Sequence, residues 1–268
     1  MSSTTLTTEP SAAPEPAAAG TAQRIAVGVY GIVAYALFFA VFLYLIAFVG
    51  GVLVPRHTGS GTAAPLALAI PVNIALVLLF GVQHAIMARP RFKAWITRFI
   101  PAAAERSTFV IAASLCLVAL FAFWQPMPGP VWEFEHPVMR GLLWAAFGFG
   151  WALVLGSSFV ISHFDLFGLR QSVLHMLSRT YEHIGFAVVG PYRLVRHPLM
   201  LGFLIAFWSA PTMSAGRLLF AAAMTAYILV GVSMEERDLI RTFGEHYRQY
   251  RRHVPSIIPN PLRRWKGL

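Results

Sequence analysis

The sequence predicts an all-α integral membrane protein. Four transmembrane helices are followed by a C-terminal helical hairpin, making five to six membrane segments, and by a tail on the cytoplasmic side. Three observations carry this. The 268 residues are 57% hydrophobic and only 12% charged, with a mean hydropathy of +0.64, outside the range of soluble globular domains. Uncharged stretches recur that match the roughly 20 residues a helix needs to cross the hydrocarbon layer. Basic residues collect in alternate loops.

Met1 to Gly20 is rich in Ser, Thr, Ala and Pro and holds no Lys or Arg. It lacks the basic start of a signal peptide, so residues 1–22 are expected to form a disordered tail. Residues 23–162 carry the first four spans: Ile25 to Val54, Ala64 to Ala88, Ser107 to Trp124 and Gly141 to Ser162. Residues 163–268 make up the remaining unit. Within it, the 37 residues from Pro198 to Met234 contain one charge, Arg217, and are too long for a single helix, so the chain must turn back near Pro211. The first leg, Pro198 to Ser209, gives only about 18 Å of helix and falls short of a crossing. Either that leg is shallow or it continues past Pro211 with a kink.

Charge sets the orientation. The loop after the second span holds Arg89, Arg91, Lys93, Arg98 and Arg106, whereas the loop after the third holds Glu133 and Glu135. The former is therefore expected on the cytoplasmic side of an inner membrane, together with both termini. A net charge of +10 placed in loops beside spans fits anionic lipid headgroups, not nucleic acid. The single cysteine, Cys116, lies inside a span and supports neither a disulfide nor thiol chemistry.

That topology gathers unusual polar residues at one leaflet: Gln83 and His84 ending the second span, His163 and Asp165 after the fourth, Arg196 and His197 opening the hairpin, Glu235 and Glu236 closing it. Ionisable groups at a bilayer edge are costly unless solvated or employed. Each also has a plainer role. Arg196 can snorkel to headgroups, His197 can serve helix entry before Pro198, and the glutamates can be solvated where the helix leaves the membrane. No metal site is expected, because none of the nine histidines form closely spaced helical pairs. A glycine-rich phosphate loop and a serine nucleophile elbow are both absent, which removes most kinase, dehydrogenase and hydrolase readings.

Gly190-Pro191-Tyr192-Arg193, Arg196-His197-Pro198, Gly202, Glu235-Glu236, and Phe243-Gly244 with Tyr247, Tyr250, Val254 and Pro255 stand in an order and spacing that resembles the isoprenylcysteine carboxyl methyltransferase-like superfamily of membrane methyltransferases. One departure is Met200, where many relatives place Tyr. From about Tyr30 to Pro259 the chain is similar to one branch, the bacterial methanethiol S-methyltransferases. That likeness includes Gln83-His84, Glu105-Arg106-Ser107-Thr108, the run His163 to Gln171, and Arg196 to Phe203, with Met200 expected.

The resemblance implies S-adenosylmethionine as donor, methanethiol as acceptor and dimethyl sulfide as product. It implies cofactor contacts from Tyr192, Arg196, His197, Gly202, Glu235, Glu236 and Tyr247, and a substrate region at Gln83, His84 and Met200. Arg196 with His197 would take the cofactor carboxylate, and Glu235 or Glu236 its amino group or ribose. Because methanethiol is a weaker acid than a cysteine thiol, a base is needed. His163 oriented by Asp165 is the first candidate and His84 the second. Other acceptors stay open: another thiol, a lipid amine or a prenylcysteine carboxylate. So does a non-catalytic NnrU-like accessory role, although such a scaffold needs neither the glutamate pair nor the Arg-His-Pro run.

Overall fold

The computed structural model describes residues 20–182, 185 and 187–260, so most of the expected N-terminal tail and the basic residues Arg263, Arg264 and Lys266 lie outside the described residues. Five helices are long and apolar enough to cross a membrane: α1 (Thr21–Gly50), α2 (Leu66–Met87), α4 (Ala102–Phe123), α5 (Pro137–Ile161) and α9 (Ala215–His253). Shorter helices are α3 (Pro90–Ile96), α6 (His163–Leu166), α7 (Leu169–Met176) and α8 (Pro198–Trp208), with a 3-10 turn at Gly190–Arg193. The protein is a multi-pass membrane protein. Large apolar side chains such as Val33, Leu78, Leu115, Phe149 and Val230 point outward and are exposed. Only lipid makes such a belt favourable, and helices satisfy their own backbone groups within it.

Inside the bundle, Phe48, Leu120, Phe207 and Phe220 are fully buried and join α1, α4, α8 and α9 into one core. Helices α5 and α8 approach each other backbone to backbone. A Cβ on Gly202 would sit 2.6 Å from the carbonyl oxygen of Gly150, and one on Gly150 would sit 2.7 Å from the oxygen of Gly202. Small residues facing each other let membrane helices pack backbone to backbone.

The hairpin resolves the choice left by its first leg. Helix α8 stops at Trp208, about 17 Å after it starts, so it is shallow. Its last carbonyls would face lipid without partners, and Arg217 supplies them. This 3%-exposed side chain donates from Nη2 to the oxygens of Ser209 (3.0 Å) and Ala206 (3.4 Å). A cation at a helix C-terminus is also favoured by the helix dipole. The turn itself forms a strand, β2 (Thr212–Ser214), paired antiparallel with β1 (Pro130–Glu133) from the loop between α4 and α5. Ser214 then caps α9 by accepting from the backbone N–H of Arg217 at 3.1 Å.

At the other end, Ser162 breaks α5 with φ 152° and turns α6 and α7 back under the bundle. Gly168, at φ +82°, lets this return pass 2.7 Å (measured from a built Cβ) from the backbone nitrogen of Ser107. Ser107 and Ser172 hydroxyls lie 3.0 Å apart and join α4 to α7. Helix α9 runs beyond its apolar part and is interrupted at Gly244 (φ 57°, ψ −127°). That break directs Tyr247, Tyr250 and Val254 into a second small core with Val188.

Candidate active site

The polar residues of the hairpin converge. Arg196 and His197 precede α8, and Glu235 and Glu236 lie on α9 just past its apolar stretch. Oε1 of Glu236 accepts from Arg196 Nε at 2.8 Å and Nη2 at 2.6 Å, from Ser256 Oγ at 3.2 Å, and lies 3.2 Å from His197 Nε2. Arg196 Nη1 donates to the carbonyls of Arg251 and Val254. Backbone bonds from Arg196 to Pro255 (2.9 Å) and His197 to Ser256 (3.0 Å) complete a clasp between the hairpin and the tail. Arg196 thereby bonds protein acceptors at Nε and at both terminal nitrogens.

Glu235 differs from its neighbour. Its side chain is 51% exposed, and His197 Nδ1 lies 3.6 Å from its Oε2. Tyr192 and Tyr227 lie within its electrostatic reach. Burial, and then the Glu235 carboxylate, push the Tyr192 phenol up, so it stays a neutral donor. Tyr247 is 1% exposed and packs edge-on against Tyr250 with Arg196 beside it. Gly202 belongs to the α5–α8 contact, where helix packing calls for a glycine.

A second feature adjoins this cluster toward the membrane. An apolar cavity of about 270 Å³ is enclosed by α1, α2, α4, α5, α6, α8 and α9. Leu199 and Met200 line it from the first turn of α8, directly after His197-Pro198, and Tyr227 lines it from α9. Its few polar groups include His84, Arg106, Ser158 and His163. Gln83 is not part of the lining. Its Nε2 lies 3.0 Å from Met87 Sδ, and its Oε1 is buried without a hydrogen bond among the described residues.

The two histidines are in opposite situations. Ser158 Oγ donates to the carbonyl of Leu155 at 2.7 Å, so it must accept from His163 Nδ1 at 2.8 Å. Neutral His163 therefore carries its proton on Nδ1 and accepts at Nε2 from the Tyr35 hydroxyl, 2.9 Å away. The ring is 2% exposed and stacked on Phe159, and burial lowers its pKa. His84 Nδ1, by contrast, is buried with no hydrogen-bond partner among the described residues.

The expected His163–Asp165 pair is not formed. Residues two apart on a helix point to different faces. The Asp165 carboxylate turns away to Arg170 at 3.1 Å and Tyr181 at 3.2 Å. Tyr35 and Ser158 hold the imidazole instead. Neither was singled out from sequence, since a hydroxyl inside an apolar span carries no local signal of its partner. By sequence Arg106 falls in a loop, because the uncharged run begins at Ser107. The helix starts five residues earlier, at Ala102, and turns Arg106 into the bundle.

Comparison with known proteins adds the family. Over 235 residues the chain is 49% identical to the methanethiol S-methyltransferase of Mycobacterium tuberculosis, covering 88% of this chain and 96% of that protein. Methanethiol S-methyltransferase 1 of Bradyrhizobium diazoefficiens is 48% identical over 86% of this chain and 81% of its own length. The chain belongs to the methanethiol S-methyltransferase family. As a member of that family, it is a methyltransferase with an apolar cavity set directly beside a polar clasp. Human Nurim is a more distant relative, 32% identical over 66% of this chain and 68% of that protein. No family model and no solved structure matches the chain.

Proposed function

We propose that this methyltransferase transfers a methyl group from S-adenosylmethionine to methanethiol, giving dimethyl sulfide. It works in an inner membrane with both termini and the clasp on the cytoplasmic side. The observation that carries the proposal is the junction of two unlike compartments along α8. Glu235 offers its carboxylate to a charged donor beside the buried His197, and one turn past His197 Met200 opens onto the 270 Å³ apolar cavity. Such a cavity lies at the small end of ligand sites and suits a compact apolar thiol that partitions from lipid. The names of the bacterial relatives supply the acceptor.

The donor's polar groups match the residues present. Glu235 has an exposed carboxylate without a hydrogen bond among the described residues, a fitting acceptor for an amino group or ribose hydroxyls. Tyr192, held neutral, lies beside it, its hydroxyl donating to the carbonyl of Ser157 at 3.5 Å. When bound, the donor supplies an electrophilic methyl on a sulfonium centre. The chain's own task is alignment and provision of a thiolate. His84 is the better base on this geometry, because its Nδ1 has no hydrogen bond among the described residues while both nitrogens of His163 are engaged. His163 acts as a fixed wall of the cavity. In the overall reaction the thiol S–H bond breaks, the thiolate sulfur forms the new carbon–sulfur bond, and the donor's carbon–sulfur bond breaks to leave a thioether. One proton is released.

Two measurements test this reading. Purified protein incubated with methanethiol and S-adenosylmethionine should release dimethyl sulfide into the headspace, and His84→Phe should abolish it without weakening donor binding. Donor-dependent turnover of a lipid amine with no turnover of the thiol would reassign the acceptor.

A further inference from the structure

Arg106 lies in the first turns of α4 and lines the apolar cavity. Its Nε donates to the carbonyl of Leu166 at 2.7 Å, and its guanidinium carbon sits 4.7 Å from the centre of the Phe109 ring. Beyond that one bond, the guanidinium makes no hydrogen bond and no ion pair among the described residues. The acids on the same side are Glu105 and Asp165, and Asp165 is occupied by Arg170 and Tyr181. His84 faces Arg106 from α2 within electrostatic reach, and His163 closes the cavity from α6. Glu105 and Asp165 act on Arg106 only at a distance, and a cation in an apolar wall without a close ion pair among the described residues is expensive to keep. An anion in the cavity relieves that cost, and neutral methanethiol does not.

Arg106 also borders a second, polar cavity of about 500 Å³, lined by Lys93, Glu105, Asp165, His175 and Tyr181 among others. Arg106 and Leu166 are common to both linings. The side chain is thus the partition between an apolar chamber and a polar one.

We propose that Arg106 binds the substrate thiolate and lowers the pKa of the bound thiol. This rests on the reading of the apolar cavity as the thiol site. In the step concerned the S–H bond breaks, the electron pair stays on sulfur beside the guanidinium, and the proton passes to His84 and on to water. A purely structural Arg106 would need only the Nε bond to Leu166. The unshared terminal nitrogens are what the thiolate uses.

A cation a few ångströms from an acid lowers its pKa by about one to three units, so loss of Arg106 removes roughly ten- to a thousandfold of thiolate at neutral pH. In full-length protein reconstituted in nanodiscs, kcat/KM for methanethiol against pH should rise at a lower pH than free thiol ionises. Arg106→Met should shift that rise upward, while Arg106→Lys keeps most of it. The Arg106→Met defect should shrink when methanethiol is replaced by the more acidic trifluoroethanethiol, with S-adenosylmethionine affinity by calorimetry unchanged. An undisplaced profile in a variant that still binds the donor overturns the proposal. Should both variants fail to fold, wild-type protein titrated with ethanethiol and no donor decides it. Ultraviolet thiolate absorbance must then appear at lower pH than in buffer, and coincident curves overturn it. Absence of any dimethyl sulfide from the wild type would instead sink the assigned reaction.

Discussion

Oε1 of Glu236 takes two hydrogen bonds from the Arg196 guanidinium across 40 positions of sequence, at 2.8 and 2.6 Å, with both side chains at most 10% exposed. This pair fixes where α9 leaves the bundle relative to the start of α8. Removing one partner of a buried ion pair strands the other charge and typically costs about 3–5 kcal/mol. Arg196→Ala and Glu236→Ala should each lower the denaturant midpoint accordingly in detergent. The double variant Arg196→Met with Glu236→Leu should lose less than the sum of the singles.

Glu235 should behave in the opposite way. Its carboxylate is exposed and outside the clasp. Glu235→Gln is expected to leave unfolding unchanged while weakening S-adenosylmethionine binding about tenfold or more, the worth of one charge-assisted hydrogen bond. Calorimetric titration checks this, and wild-type affinity in the variant would remove Glu235 from the donor site.

Gly202 tests helix packing apart from ligand contact. The added methyl of Gly202→Ala meets the Gly150 carbonyl at 2.6 Å, and neither backbone is free to move. Overpacking of this kind costs about 1–3 kcal/mol. The unfolding midpoint should fall, whereas the donor affinity of folded protein should not.

His163 gives a pH dependence of stability. Burial lowers its pKa, so the folded state binds fewer protons than the unfolded chain once pH drops below about 6.5. The contribution is present above that value and is lost as pH falls through the lowered folded pKa. Its Nε2 is also the acceptor for Tyr35, a bond that protonation reverses. Unfolding followed from pH 7 down to about 5 should show a steeper decline for the wild type than for His163→Gln; equal slopes would contradict the neutral, doubly bonded imidazole.

Much of the fold was legible because the bilayer imposes a length. The uncharged runs match α1, α2, α4 and α5 to within a few residues, and the turn near Pro211 follows from a run too long for one crossing. What escaped sequence reading was partnership at a distance. Arg217 looked like a lone charge in an apolar stretch, yet it serves carbonyls freed by the early end of α8, and no residue pattern marks those. Tyr35 holds His163 from 128 positions away. Asp165 was attractive because it is close in sequence, but helical geometry turns it to Arg170. Arg106 was hidden by charge itself, since a helix start rich in ionisable residues reads as a loop.

The central claim is that a thiol is methylated in the cavity between the clasp and the bundle core. Gas chromatography of the headspace over purified, reconstituted protein supplied with methanethiol and S-adenosylmethionine tests it most directly. Dimethyl sulfide should accumulate with time, require both substrates, and vanish when Met200→Trp fills the cavity while donor binding persists. Donor binding without any dimethyl sulfide from the wild-type protein, or undiminished product from the filled cavity, would contradict the account.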